Sequence, residues 1–181
     1  QSGSSKILKA MNRKHNIEEY SETINKLKKA NPNIKFSSDF IVGYPGETET
    51  DFQKTIELIE KTRFINSYSF IYSARPGTPA SELVNVEKQV AKKRLIELQE
   101  VLENINTQSK NNFLNKFTEV LFENKMKNQN KYFGRDKFLN AVVVESLKNL
   151  TGQILNVKIN NFNYNGFSGE IIDDENKIRV A

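Results

Sequence analysis

The sequence has no cysteine and a single histidine, and these two shortages exclude several kinds of site. Without cysteine, its own residues can form no disulfide and can offer no thiolate to a metal. One histidine cannot supply a histidine-based zinc site, and it leaves no plausible Ser-His-Asp triad. Because His15 lies in a polar run, residues 12–16, we expect it to be a surface residue.

Long apolar runs are also missing. No stretch approaches the roughly 20 residues that a membrane-spanning helix requires, so we expect no membrane segment. The first five residues, QSGSS, are unlike a signal peptide, and no initiator methionine precedes them. We interpret this beginning as that of a chain cut from a longer one.

The 181 residues contain enough apolar material, 37%, to build one or two small domains. The formal net charge is +5. This modest excess of basic residues suits an anionic partner such as RNA without requiring one.

The stretch IVGYPGETETDF, residues 41–52, predicts the end of a strand, a tight turn and the start of a helix. Gly43 and Gly46 allow the backbone to turn sharply or to approach a ligand. Thr48 is a candidate N-cap, and Asp51, three positions later, matches a capping box. The pattern is typical of a βα turn in an α/β fold.

The composition of this turn argues against a nucleotide phosphate as its ligand. No lysine lies between Ile41 and Gln53, and Glu47, Glu49 and Asp51 would repel an anion. Two interpretations stay open: an ordinary βα turn with a well-capped helix, or a loop beside a neutral or cationic ligand. Ligands of α/β folds lie at the carboxyl ends of the strands, where this loop is expected.

Helix and strand patterns alternate through the first half of the chain. Residues 16–31 predict a helix, residues 34–42 a strand, and residues 67–73 the strand that follows the Thr48 helix. This order is typical of a parallel sheet, and we predict an α/β partial βα barrel with too few strands to close. A longer helix is predicted over residues 86–116. Its narrow apolar row has charged flanks and indicates packing along a domain surface; the row consists of Ala91, Leu95, Leu98, Leu102 and Ile105.

A different pattern begins near residue 117. Short β-like runs are separated by clusters of Asn, Gly and Lys, which predicts a small all-β, OB-like barrel. The runs cover residues 119–123, 140–145, 153–160 and 167–172. We therefore divide the chain into an α/β part, a linking helix and a barrel, at residues 1–84, 85–116 and 117–181.

Three stretches, taken in order, resemble one family: QSGSSKILKAMNRKHNIEEY, DFIVGYPGETETDF and FIYSARPGTPAS. They resemble the radical S-adenosylmethionine methylthiotransferases, and the barrel resembles the TRAM domain that ends those enzymes. The resemblance covers nearly the whole chain. FIYSARPGTPA is most similar to the tRNA-modifying branch, which acts on N6-isopentenyladenosine beside the anticodon. The resemblance implies a C-terminal fragment: the end of the radical domain, a linking helix and the TRAM domain.

The resemblance also implies where S-adenosylmethionine would bind. The turn after the first strand would pack near its adenine, Glu47 would fasten that turn, and Arg13 would pair with the methionine carboxylate. Gln1 and Ser2 would lie at the end of a preceding strand, near the methionine or the ribose. A solvent-exposed Arg13 without that role is the alternative. The cofactor contacts implied in this way are Gln1, Ser2, Arg13, Ile41, Val42, Gly43 and Gly46.

Enzymes of this family use two 4Fe–4S clusters, each held by three cysteines. Because this chain has none of these cysteines, the resemblance implies that it binds neither cluster and contains no catalytic residue and no metal ligand. The fragment alone is then expected to be inactive. In the full-length enzyme it would take part in methylthiolation at C2 of the adenine, with the cofactors carrying the radical chemistry.

Basic and aromatic side chains of the barrel are predicted to contact RNA, by pairing with phosphates and stacking on bases. The predicted RNA contacts are Lys131, Tyr132, Phe133, Arg135 and Lys137 of the barrel, with Phe138 as a further aromatic, and Arg75 of the RPGTPA turn. Arg135 is expected to be exposed. The alternatives are core positions for Phe133 and Phe138 and a plain turn role for Arg75. The acidic residues 173–175 would repel RNA, and we expect a solvated turn there.

The partner implied by the resemblance is the anticodon stem-loop of tRNA, and we expect a cytoplasmic monomer without membrane contact. Three alternatives stay open. The chain could be a stand-alone RNA-binding module, or an unrelated βα enzyme with a nucleic-acid domain. It could also belong to a sister methylthiotransferase that acts on threonylcarbamoyladenosine or on a ribosomal protein.

Overall fold

The structure is a computed structural model, and it describes residues 1–127 and 129–172. The chain divides into two compact units, residues 1–107 and 108–181. The finer division at residues 84 and 116 remains a prediction. The expected acidic turn at residues 173–175 lies outside the described residues.

Four helices and two strands form the first unit, and the last helix ends beyond it. The helices are α1 (Ser5–Ala10), α2 (Ile17–Ala30), α3 (Glu49–Thr62) and α4 (Lys88–Asn111), and a short 3-10 helix covers Pro79–Glu82. The strands β1 (Asp39–Val42) and β2 (Tyr68–Ile71) pair in parallel, with Asp39 opposite Tyr68. The expected parallel pairing is therefore confirmed for these two strands, whereas their membership of a partial βα barrel remains a prediction.

Local capping determines where two of the helices begin. The side chain of Asn16 accepts a hydrogen bond from the backbone N–H of Glu19, and Glu19 bonds back to the backbone N–H of Asn16. Thr48 and Asp51 form the same reciprocal capping box at the start of α3. Each box satisfies amides that have no partner within the helix, so both predicted helix starts are confirmed.

One apolar core joins β1 to the helices of the first unit. Phe40 and Val42 alternate along β1 toward α3, where Phe52 and Ile59 are fully buried, and Leu98 of α4 packs in the same cluster. Each such side chain contributes about 1.5–3 kcal/mol by leaving water. This core fixes β1 against α3, and it thereby fixes the turn that joins them.

A further segment lies beside β1. The amino nitrogen of Gln1 donates to the carbonyl of Asp39 at 2.6 Å, and the amide of Ile41 donates to the carbonyl of Gln1 at 3.4 Å. This alternation of donor and acceptor is that of a parallel pair of strands. The sheet position that the resemblance implies for Gln1, at the end of a preceding strand, is consistent with these contacts.

The second unit contains a closed five-stranded barrel in the order β3-β4-β5-β7-β6. Its strands are β3 (Phe117–Lys125), β4 (Lys131–Asp136), β5 (Ala141–Glu145), β6 (Ile154–Asn163) and β7 (Gly166–Ile171). All pairs are antiparallel except β5 with β7. Closure leaves the barrel without an unpaired sheet edge. The predicted small barrel is confirmed.

Strand β4 was absent from the sequence-based strand prediction. Its inward positions are Tyr132, Gly134 and Asp136, so only one of the three is a large apolar residue. A Cβ at Gly134 would overlap the Leu121 carbonyl oxygen on β3, so glycine is required there for the strands to approach. Asp136 accepts hydrogen bonds from the amides of the following turn, which satisfies its buried carboxylate. Gly134 and Asp136 thus meet geometric and hydrogen-bonding requirements of the strand and its turn, and neither gives the apolar signal of a buried strand position.

Among the described residues, no helix combines the length and the apolarity needed to cross a bilayer.

Candidate cofactor loop and barrel surface

The turn between β1 and α3 has the tight geometry that its glycines predict. Gly43 and Gly46 have φ values of 71° and 81°, in the left-handed region that glycine adopts without strain. The amide of Glu47 donates to the carbonyl of Tyr44 at 2.9 Å and closes the turn. We refer to residues 43–47 as the cofactor loop.

Glu47 fastens this loop from inside. Its side chain is 1% exposed, and its Oε2 accepts a hydrogen bond from the amide of Gly43 at 2.7 Å. The predicted fastening role of Glu47 is therefore confirmed. The same bond occupies the amide of Gly43, so that amide cannot at the same time bind a ligand.

Burial is the main influence on the pKa of Glu47. Removal from water raises the pKa of its carboxyl group, against the hydrogen bond from Gly43 and the positive charge of Arg94, which lower it. Arg94 is the ion-pair partner, with its Nη1 3.0 Å from Oε2 of Glu47. Sequence reasoning did not select Arg94, because it was counted among the charged flanks of the long helix.

A usable signal for Arg94 was present in the spacing of α4. The buried residues of α4 in the first unit are Ala91, Arg94, Leu98, Leu102 and Ile105. This row repeats every three or four positions, which is the period of one helix face. Arg94 occupies the row where the sequence analysis placed Leu95, which is only half-buried.

Gly43 also allows α4 to approach the cofactor loop. A Cβ at Gly43 would lie 2.7 Å from the Cβ of Ala91, closer than real side chains come. Its lack of a side chain therefore serves helix packing as well as the turn. At Gly46, by contrast, an added Cβ would meet nothing within 4 Å, so the surface beside Gly46 is open.

Asp51 ties the N-terminal segment to the loop. Its carboxylate accepts hydrogen bonds from the hydroxyls of Ser4 and Thr48, both at 2.7 Å, and lies 3.1 Å from Nζ of Lys6. Lys6 also donates to the carbonyl of Gly46 at 2.8 Å. Burial raises the pKa of Asp51, but the hydrogen bonds from Ser4, Thr48 and Lys6 outweigh burial and hold that pKa well below its usual range.

Ser2 and Val42 are placed differently from the predicted cofactor contacts. Ser2 is fully buried, with its Oγ 3.2 Å from Oγ1 of Thr55 on α3, so its hydroxyl is directed into the protein. The side chain of Val42 is in the core, and its carbonyl accepts from the amide of Tyr72 at 2.8 Å. Neither side chain presents a surface to a ligand. The half-buried Ile41 lies on the opposite face of β1 from Val42.

Gln1 lies beside β1, the strand that leads into the loop, and its side-chain amide nitrogen is buried. Its Oε1 is 3.4 Å from Nε2 of His15, while its Nε2 is buried without a hydrogen-bond partner among the described residues. His15 is half-buried and stacks on Tyr20 with ring centroids 5.6 Å apart. The expectation that His15 is a plain surface residue is therefore wrong.

The predicted carboxylate partner, Arg13, is exposed and lies in the turn that follows α1.

Two tyrosines, Tyr44 within the loop and Tyr72 after β2, were not foreseen as part of the site. The rings of Tyr44 and Tyr72 meet edge to face, with centroids 5.0 Å apart. The hydroxyl of Tyr44 donates to the carbonyl of Ala10 at 2.8 Å. The hydroxyl of Tyr72 is buried and has no hydrogen-bond partner among the described residues. Tyr72 immediately follows β2, so it lies at the carboxyl end of the parallel pair.

On the barrel, Arg135 is exposed as predicted. Its Nη1 lies 2.6 Å from Oε1 of Glu123, and its guanidinium lies 5.2 Å from the centroid of the Phe133 ring. Phe133 is half-buried, so part of its ring remains accessible. Lys131 is half-buried with Nζ 3.5 Å from Glu145, and Lys137 is exposed.

Tyr132 requires a correction. It is 3% exposed and belongs to the barrel core with Val120 and Phe122, so it cannot stack on a base. The alternation along β4 explains this, because Tyr132 points inward between the outward side chains of Lys131 and Phe133. Phe138 is half-buried, with its ring centroid 5.9 Å from that of Phe113.

Two exposed apolar residues extend the Arg135 surface. Leu121 of β3 is 45% exposed and pairs with Arg135 on one side and with Ile154 of β6, 64% exposed, on the other. We refer to Phe133, Arg135, Leu121 and Ile154 as the barrel patch. Sequence reasoning missed Leu121 and Ile154 because it considered only basic and aromatic residues.

Arg75, from the first unit, is exposed, and its carbonyl accepts from the amide and hydroxyl of Thr78 in a turn.

Comparison with known proteins bears on this geometry. Residues 1–59, which contain the cofactor loop, match the Radical SAM superfamily. The chain is 48% identical over 177 residues, 98% of its length, to the tRNA-2-methylthio-N(6)-dimethylallyladenosine synthase of Pelagibacter ubique, of which it covers 40%. Over nearly its whole length the chain is therefore similar to a radical S-adenosylmethionine methylthiotransferase. The recognition from sequence is thereby confirmed.

Other relatives with the same printed name agree. The synthase of Wolbachia pipientis wMel is 44% identical over 88% of this chain and 37% of the relative. The synthase of Ehrlichia chaffeensis is 40% identical over 96% of this chain and 40% of the relative. The chain thus spans 40% or less of the length of these relatives.

The family implies S-adenosylmethionine and 4Fe–4S clusters, and the residues present fit only the first. The sequence offers no cysteine for a cluster, and the described residues contain no group of three or more His, Cys, Asp or Glu that could hold a metal ion. Cluster chemistry therefore cannot be assigned to these residues. The cofactor loop, by contrast, has an open surface at Gly46, and two buried polar atoms, on Gln1 and Tyr72, have no hydrogen-bond partner within residues 1–127 and 129–172.

Proposed function

We propose that this chain supplies part of the S-adenosylmethionine site and an RNA-contacting barrel to a tRNA methylthiotransferase. The substrate would be N6-isopentenyladenosine beside the anticodon, modified at C2. The observation that carries the proposal is the match along 98% of the chain to a synthase with that printed activity. Two features support it: the cofactor loop of the first unit, with its two left-handed glycines, and the closed barrel of the second unit.

The proposed cofactor contacts are revised by the geometry. Backbone groups at the end of β1, the half-buried side chain of Ile41 and the open surface at Gly46 would receive the adenine. The side-chain nitrogen Nε2 of Gln1 and the hydroxyl of Tyr72 are buried without a partner in the described part of the chain, and a bound nucleoside could provide one for each. Arg13, being exposed, could still pair with a carboxylate.

Bound S-adenosylmethionine would supply the radical chemistry, and the residues of this chain would position it. The cluster cysteines would have to come from polypeptide that is not in this sequence, since the sequence has none. We therefore propose that the chain alone is inactive. We also propose that it acts in the cytoplasm, as part of a monomer.

The proposed RNA surface is the barrel patch with Lys131 and Lys137. Arg135 can meet a phosphate or stack on a base, and Phe133 offers part of a ring face. Glu123 pairs with Arg135 in the absence of RNA, and a phosphate would compete with that carboxylate for the guanidinium. An exposed pair of this kind costs little to exchange, since such pairs contribute about 0–1 kcal/mol.

The test is to express the intact polypeptide that carries these residues in cells without their own synthase, and to measure the nucleosides of their tRNA. We expect 2-methylthio-N6-isopentenyladenosine to appear in this tRNA. An empty vector is the control. A 2-methylthio derivative of threonylcarbamoyladenosine would place the protein in the sister branch. No modified nucleoside, from protein shown to be folded and loaded with clusters, would refute the enzyme assignment.

A second candidate is RNA binding without catalysis, which the closed barrel and the cysteine-free sequence favour. It predicts that the 181-residue chain binds tRNA by itself, more weakly as salt rises. Salt-independent binding, or none, would remove this candidate.

A further inference from the structure

Arg94 is a charged side chain buried between helix α4 and the cofactor loop. Its side chain is 7% exposed, and its guanidinium lies 5.6 Å from the centroid of the Phe52 ring. A buried ion pair adds little net stability, although breaking it is costly. We therefore ask which conformation of the cofactor loop this ion pair specifies.

The guanidinium donates four hydrogen bonds, two to Glu47 of the cofactor loop and two to Glu49 at the start of α3. Its Nη1 donates to the carboxylate of Glu47 at 3.0 Å and to the backbone carbonyl of Glu47 at 3.1 Å. Its Nε and Nη2 donate to Oε2 of Glu49 at 3.3 and 3.2 Å. Only a planar fork of donors can satisfy this set, so a lysine could keep the charge but not the geometry.

The contact between Arg94 and Glu47 also connects Arg94 to the end of β1. Oε2 of Glu47, the atom that Arg94 binds, also accepts the amide of Gly43 at 2.7 Å. One oxygen therefore joins the helix to the first residue of the cofactor loop. Ala91, one helical turn before Arg94, packs against Gly43 from the same helix.

We propose that Arg94 is a positioning residue, which orients Glu47 and so fixes the cofactor loop in the conformation that receives the nucleoside end of S-adenosylmethionine. The part of this inference that concerns the cofactor rests on the proposed function. The part that concerns the loop rests on the hydrogen bonds alone.

The first experiment measures hydrogen exchange at the Gly43 amide in the 181-residue chain. Arg94→Met should lower the protection of that amide by about tenfold or more, because its acceptor is no longer held. Arg94→Lys should give an intermediate loss. Lys92→Met, which removes an exposed charge two residues earlier on the same helix, is the control and should change nothing. Unchanged protection in folded Arg94→Lys would overturn the positioning role.

The second experiment measures the Kd for S-adenosylmethionine, and separately for tRNA, in the cluster-loaded intact polypeptide. We expect Arg94→Met to weaken S-adenosylmethionine binding by about tenfold, with tRNA binding unchanged and Arg94→Lys partly restoring affinity. Equal losses for both ligands would indicate a general loss of structure and would refute the proposal.

A double variant separates positioning from charge neutralisation. Glu47→Gln together with Arg94→Met leaves no unpaired buried charge and keeps an acceptor for the Gly43 amide. If Arg94 positions the loop, the double variant folds but still binds S-adenosylmethionine weakly. If it regains wild-type affinity, Arg94 only neutralises Glu47 and the proposal is wrong. A wild-type protein that does not bind S-adenosylmethionine, but shows the expected exchange at Gly43, would refute the proposed function and leave the loop mechanism standing.

Discussion

Replacement of Asp51 by alanine is the most direct test of how the N-terminal segment and α3 are held together. The Asp51 carboxylate accepts from the hydroxyl of Ser4 at 2.7 Å and from the amide of Thr48 at 3.1 Å, and it pairs with Lys6. The substitution leaves these donors without their acceptor and removes half of the capping box.

The magnitude follows from the bonds lost. A hydrogen bond to a charged group contributes about 1.5–3 kcal/mol and a helix cap about 1 kcal/mol, and these overlap here because one carboxylate makes both contacts. We expect Asp51→Ala to lower the free energy of unfolding of the first unit by about 3 kcal/mol. Glu60→Ala, at an exposed acidic position on the same helix, should change it by less than about 0.5 kcal/mol.

Denaturant unfolding followed by helical circular dichroism is the assay, because the helices belong almost entirely to the first unit. It should be repeated at several pH values. Hydrogen bonds hold the folded-state pKa of Asp51 below its unfolded value, so its contribution is complete above the unfolded pKa and is lost as pH falls toward the folded one. The difference between wild type and Asp51→Ala should therefore shrink below about pH 4. A loss of stability under 1 kcal/mol, or a difference that grows on acidification, would refute this account.

Three further predictions concern the barrel. Gly134→Ala should destabilise the second unit by about 1–3 kcal/mol in denaturant unfolding, because the added Cβ meets the Leu121 carbonyl; an unchanged unfolding midpoint would contradict the close approach of β3 and β4. Tyr132→Ala should cost about 3–5 kcal/mol by the same measurement, since it empties a core position, and a neutral effect would reopen an RNA role for it. Arg135→Ala should weaken tRNA binding several-fold and reduce the slope of log K against log salt by about 1, while Lys148→Ala, at another exposed barrel position, should have a smaller effect.

The parts of the fold that were predictable are those that local sequence determines. The capping boxes at Asn16 and Thr48 need only residues within one turn of each other, so their spacing was sufficient. The barrel was recognisable because most of its strands alternate apolar and polar residues. Strand β4 was not, because Gly134 is required by the approach of a neighbouring strand that the sequence does not reveal.

The parts of the candidate site that escaped prediction depend on contacts far apart in the sequence. Arg94 meets Glu47 across 47 positions, so neither residue identifies the other by spacing. Tyr72 reaches the loop only because β2 pairs with β1. Periodicity could have placed Arg94 on the buried face of α4, but not named its partner.

Glu47, Glu49 and Asp51 were expected to repel an anion, but each of them is paired with a cation. Glu47 and Glu49 both bind Arg94, and Asp51 binds Lys6. Three carboxylates therefore face two cations, and the net charge left near the loop is about −1 by this count. Repulsion of a phosphate by so small a charge would be weak in the presence of salt.

A stronger reason for excluding a phosphate is that three amides of the turn are already in use. The N–H of Gly43 is bound by Glu47, that of Glu47 by the Tyr44 carbonyl, and that of Thr48 by Asp51. A phosphate cradle requires several converging amides without partners, as at the N-terminus of a helix that has no capping side chain. The capping box that begins α3 therefore takes up two amides, those of Thr48 and Asp51, that an anion could otherwise bind. What remains for a ligand is the half-buried side chain of Ile41 and the open side of Gly46, which suits an uncharged purine.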